Sequence, residues 1–234
     1  MQHKLAPIDT HAFDFWLARG AVVVVAVLQY FIVNDLSLGP RWLAPGLEIA
    51  LLVPLSIATR WNQLQARRAV IDDHWHAIVR HRRMIRALAL LLTAVITIMN
   101  FGALFELVRA LLAGKSENGT TLLLDAVNIW VTNVIVFALW FWGIDRGGPE
   151  LLGISTKSLP EFLFPQMTID RGEERPFLPG FVDYLFLSFT NATAFSPTDT
   201  LPLSPRAKLL MMAEALISLL TIALVAARAV NILA

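Results

Sequence analysis

FVDYLFLSFTNATAF, residues 181–195, is apolar enough to enter a bilayer and too short to cross one. A helix gains about 1.5 Å per residue, so the hydrocarbon core takes about 20 residues. The preceding connection, Asp145 to Gly180, is broken by "GGPE", "SLPEF", "FPQM" and "RPFLPG". Its glycines and prolines argue against one long helix. After the stretch comes "SPTDTLPLSPRAK" and then a long apolar run. The pattern predicts a re-entrant half-helix over 181–194, with irregular backbone at its tip. Such backbone is tolerated at membrane depth only where protein or a water-filled cavity shelters it.

The rest of the chain agrees with a bilayer as solvent. Of 234 residues, 56% are hydrophobic and only 16% charged, and the mean hydropathy is +0.62. These values lie outside the range of ordinary soluble domains. Five stretches qualify as spans: 15–33, 42–57, 85–112, 122–144 and 209–230. The second is interrupted by Pro45, Glu48 and Pro54, and the fourth ends in Trp140-Phe141-Trp142, a group suited to the membrane interface. Asp9 and Asp14 before the first apolar run, with no small-x-small site after it, read as a retained span instead of a cleaved leader. The segment from Arg60 to Arg86 contains no glycine or proline and predicts a juxtamembrane helix continuing into the third span. The expected fold is all-α: one polytopic membrane domain, residues 1–234, with five transmembrane helices plus the half-helix.

From Phe181 onward the order is an amphipathic half-helix, a threonine-rich loop, Asp199, a proline-bearing turn and "LLMMAEALISLLTIALVAARAV". This order resembles the pore module of two-helix bacterial potassium channels. There a pore helix ending in threonine precedes a Gly-Tyr-Gly-Asp filter, and the inner helix opens with a similar leucine-rich pattern around Glu-Ala-Leu. On that resemblance, 122–234 is the module-like part, Thr190 and Thr193 fall near the pore-helix end, and Asp199 near the filter aspartate. Residues 194–198 take the place of the filter. "TNATAFSPTDT" also resembles segments of bacterial membrane proteins. The filter glycines are absent. A potassium filter presents backbone carbonyls to the ion, and glycine permits the dihedrals that aim them inward. Pro197 fixes φ near −65° and removes a donor. A hydroxyl-rich turn remains.

The resemblance implies an ion-interacting loop with Thr190, Asn191, Thr193, Ser196, Thr198 and Asp199, and with Glu214 beneath it. A pore would require a homo-oligomer, since one such module walls only part of a channel. The other reading is a non-conducting membrane scaffold whose hydroxyls serve helix packing. Lysine and arginine favour the cytoplasmic side, which places the amino terminus inside and leaves only Arg41, Arg109, Lys115 and Arg228 outside. The half-helix then enters from the cytoplasmic face of an inner membrane, the reverse of a potassium channel. The basic cluster Arg67–Arg86 is expected to meet anionic lipid headgroups.

Other polar groups in the spans have bland readings beside functional ones. Glu106 and Arg109 are spaced to pair on one helical face. Asp125, Asn128 and Thr132 form one stripe, and Thr93, Thr97 and Asn100 another, suited to interhelical hydrogen bonds or to a polar cavity wall. Ser218 lies one turn beyond Glu214. Asp72, Asp73 and His76 have ligand spacing, but a structural zinc needs four ligands, and a basic helix surface is the simpler expectation. The chain has no cysteine, and it shows no nucleophile paired with a base, no phosphate loop and no HExxH. No enzyme activity, metal, cofactor or nucleic-acid partner is expected.

Overall fold

The computed structural model describes residues 12–32, 45–50, 52–53, 56–57, 73–112, 119–149, 159–169, 177–193 and 199–233. Five helices carry the architecture: α1 (Ala12–Ile32), α2 (Asp73–Leu112), α3 (Gly119–Ile144), α4 (Phe181–Thr193) and α5 (Pro205–Leu233). Among the described residues, α1, α2, α3 and α5 are each long and apolar enough to cross a membrane. The expected span 42–57 lies partly outside the described residues, with helical turns over 45–50. The helical expectation is relieved by one short antiparallel pair, β1 (Phe162–Leu163) with β2 (Leu201–Pro202).

Helix α3 is the centre of the bundle. Of its apolar window, 67% is buried, against 17% for α5, so the other helices pack around it. At one end, Leu122, Ala126 and Ile129 of α3 meet Leu104 and Leu107 of α2, with Leu224 and Val225 of α5 against them. In the middle, Ile135 and Val136 meet Val22 and Val25 of α1 and Leu92 and Ile96 of α2. At the other end, Phe137, Phe141 and Trp142 join Ala18, Phe162, Phe181, Tyr184, Leu187 and Ala207. That last cluster is mostly aromatic. Phe141 packs on Phe162 at 5.2 Å and Trp142 on Phe181 at 5.4 Å, centroid to centroid. Such tilted and edge-on pairs add to area burial.

The chain turns sharply where α3 ends. Arg146, Gly147 and Gly148 have φ of 49°, 85° and 88°, and glycine takes that region without a Cβ penalty. The turn returns the chain to the same end of the bundle. Asp145, buried there, accepts hydrogen bonds from the Glu161 backbone N–H at 2.6 Å and from the Tyr184 hydroxyl at 2.5 Å. It thus ties the β1 segment and α4 to the end of α3.

Helix α4 begins and its chain returns at that end. Its start is held by Asp14, whose Oδ1 accepts the Phe181 N–H at 3.1 Å. Asp183 accepts the Gly180 N–H at 2.8 Å, the back-bonding half of a capping box. Burial pushes the Asp183 carboxyl up from its ordinary value and the nearby Asp14 adds to this, although the Gly180 hydrogen bond opposes them. With 13 residues, α4 is about 20 Å long. After it, β2 returns beside β1, and α5 starts at Pro205 with Ser204 as cap: its Oγ accepts the Ala207 N–H at 3.2 Å and contacts Glu161. Serine at the cap and proline at the first helical position are a favourable helix start.

Candidate functional site: the buried carboxyl between α3, α4 and α5

Two of the seven expected site residues come together. Glu214 of α5 is 0% exposed. Its Oε2 accepts the Asn191 amide at 2.7 Å, and its Oε1 is in hydrogen-bond contact with Ser188 Oγ. The second hydrogen of the Asn191 amide goes to the Met211 carbonyl at 3.0 Å. Ser188 Oγ also reaches the Val134 carbonyl of α3 at 2.6 Å. One turn deeper, Asn133 of α3 donates to Ser218 Oγ at 2.8 Å and to the Glu214 backbone carbonyl at 3.4 Å. Two side chains of α4 therefore meet the α5 carboxyl, and α3 joins them through the Val134 carbonyl and through Asn133 at the α5 backbone and Ser218. Among the described residues no ion pair to Glu214 is formed.

The other expected residues separate. Thr190 Oγ1 bonds the carbonyls of Phe186 and Leu187, at 2.8 and 3.0 Å, and Thr193 Oγ1 bonds that of Thr190 at 3.0 Å. Both hydroxyls are thus engaged by their own helix. Asp199 is exposed, two residues before β2. Ser196 and Thr198 lie outside the described residues, as do the side chains of Asp72, Asp73 and His76.

Ser188 and Asn133 are the partners that sequence reasoning missed. A signal for Ser188 exists: Phe181, Tyr184 and Ser188 are spaced i, i+3, i+7, so a hydroxyl stands on the face that α4 buries. Ser218 is on the face anticipated for it.

The polar stripes divide in a similar way. Asn100 reaches the Ile129 carbonyl at 3.3 Å and Trp140 Nε1 reaches Thr97 Oγ1 at 2.9 Å, both between α2 and α3. Thr93 and Thr97 also bond carbonyls one turn back. Asp125, Asn128 and Thr132 are all buried, with Asn128 Oδ1 and Thr132 Oγ1 lacking hydrogen-bond partners among the described residues. Glu106 and Arg109 pair at 3.2 Å, with the arginine exposed. Chemically, the Glu214 arrangement can accept a proton or hold helices together. Among the described residues the Glu214 side chain is fully buried. No family model, curated protein or solved structure matches the chain.

Proposed function

We propose that the chain is a membrane scaffold of an inner membrane, amino terminus in the cytoplasm, that holds the half-helix α4 partway into the bilayer by its contacts to Glu214. One observation carries this reading: both carboxyl oxygens of Glu214 and both amide hydrogens of Asn191 have protein partners. Polar groups satisfied in this way hold helices together, each contributing about 0.6 to 2 kcal/mol within a membrane. They leave nothing to replace an ion's hydration shell.

A second reading, a cation-passing oligomer, is favoured by two features. Asp199 is exposed near the loop, and Leu209, Met212, Leu216 and Leu219 of α5 form an outward face that another copy could cover. Flux from liposomes containing the purified protein separates the two. The scaffold reading expects vesicles to stay tight to potassium and sodium, with Asp199→Asn and Glu214→Gln making no difference. Cation leakage that falls at least tenfold in Asp199→Asn, from a species larger than a monomer, would establish the second reading instead.

A further inference from the structure

The cleft between α1, α2 and α3 has a polarity that the half-helix does not explain. Its interior volume is about 70 Å³ and it opens outward. Its walls include Ala18 and Val22 of α1, Leu92 of α2, and Leu139 and Trp142 of α3. Two arginines also line it, Arg19 and Arg86. Arg86 gives one nitrogen to the Gly143 carbonyl at 3.4 Å, and its Nε is buried without a hydrogen-bond partner among the described residues. Arg19 lies over the Trp16 ring at 5.4 Å. Neither forms an ion pair among the described residues. Among the described carboxylates, Asp14 is engaged by the start of α4, Asp145 by Tyr184 and Glu161, and Glu48, one turn before the cleft-lining Leu52, is buried without an ion pair to either arginine. Two cations facing one apolar cleft need a counter-charge.

The gradient along the three helices describes the guest. On α1 the order toward the bundle middle is Arg19 then Val22, on α2 Arg86 then Leu92, and on α3 Trp142 then Leu139. Charge and indole lie at the end and branched aliphatics lie deeper. Tryptophan and arginine at that level are usual where headgroups meet hydrocarbon. A guest matching this gradient is anionic at one end and hydrocarbon at the other.

We propose that the cleft holds one acyl chain of an anionic phospholipid, with the phosphate against Arg19 and Arg86. This rests on the membrane placement proposed above. A zwitterionic lipid brings an ammonium to two guanidinium groups that have no ion pair among the described residues, and fits less well.

The test uses the purified full chain in bilayers of phosphatidylcholine doped with phosphatidylglycerol, one of the two carrying a photoreactive acyl chain. Phosphatidylglycerol is expected to label Val22, Leu92 and Leu139. Arg19→Gln and Arg86→Gln should each lower that labelling about fivefold, and the double variant about 25-fold. Arg206→Gln with Lys208→Gln, exposed cations at the start of α5, should change it less than twofold. Equal labelling by phosphatidylcholine, an equal loss in the Arg206 and Lys208 variant, or labelling centred on the outer face of α5 overturns the proposal. Should the glutamine variants fail to fold, Leu139→Trp, which keeps both charges and fills the tail path, must abolish the labelling or the proposal fails. Release of the chain from vesicles by alkaline carbonate would overturn the membrane placement itself, and is read separately from which lipid is labelled.

Discussion

Ser188 has one hydroxyl hydrogen and two oxygen neighbours, the Val134 carbonyl and Glu214 Oε1. A carbonyl oxygen only accepts. If the hydroxyl serves Val134, the contact to residue 214 is a hydrogen bond only when residue 214 supplies a hydrogen of its own. A glutamine amide does so, while its oxygen can still accept from Asn191. Glu214→Gln is therefore expected to leave stability within about 0.5 kcal/mol of the parent or to raise it. Glu214→Leu strands an Asn191 hydrogen in an apolar interior and should cost about 1–3 kcal/mol, and Ser188→Ala a comparable amount. Thermal unfolding of the three variants in one detergent and lipid mixture measures this. Equal midpoints for Gln and Leu at residue 214 would show that the network contributes no stability.

Helix α4 is too short to be held by membrane spanning and is fixed at both ends by side chains from other elements. At its start the backbone passes so close to Asp14 that a Cβ on Gly180 would lie 2.7 Å from Asp14 Oδ1. The carboxylate could swing aside only by giving up the Phe181 N–H. Gly180→Ala is thus expected to cost about 1–3 kcal/mol at this end. Amide exchange in the first turn of α4 should accelerate about tenfold or more, since each 1.4 kcal/mol is a factor of ten where opening is local. Asp14→Asn retains an acceptor and should show a smaller change; unchanged exchange in Gly180→Ala would mean that Asp14 does not anchor the helix. Much of this element was legible. Its length and its proline-rich flanks give a short helix over 181–194, and the helix observed is Phe181–Thr193. The start of α5 was less so, because counting apolar residues begins it at Leu209 whereas Ser204 and Pro205 start it at Pro205. The roles of Thr190 and Thr193 were not legible. A hydroxyl in an amphipathic helix can face a ligand or bond a carbonyl one turn back, and composition is the same in both cases. Glu214 stood out as a lone carboxyl in an apolar run, but its partners come from helices more than 20 residues away in sequence and only packing brings them together.

At the scale of the bundle, the starts of α4 and α5 and the end of α3 share one end, which also carries much of the basic charge. Arg80, Arg83, Arg206 and Lys208 are exposed, and Arg86 sits beside Gly143. The opposite end is marked by Leu112, 83% exposed at the close of α2. Between Arg80 and Leu112 lie 33 residues, about 50 Å of helix, which exceeds the hydrocarbon thickness of about 30 Å. Residues on the two sides of α4 should therefore share a compartment, while the end of α2 lies across the bilayer. The absence of native cysteine makes this directly measurable. Single variants Leu178→Cys, Leu203→Cys and Leu112→Cys place thiols at exposed sites before α4, after α4 and at the far end. In right-side-out and inverted vesicles, a membrane-impermeant maleimide is expected to react with Leu178→Cys and Leu203→Cys from the same side and with Leu112→Cys from the other. The basic end is expected to be cytoplasmic, since translocating its arginines and lysines is disfavoured. If Leu178→Cys and Leu203→Cys react from opposite sides, α4 is a crossing. The Glu214 contacts would then bury a carboxyl along a true span, and the half-helix reading fails. If both react only from the outside, the half-helix stands and the orientation reverses, which would bring it into line with the loop of a potassium channel.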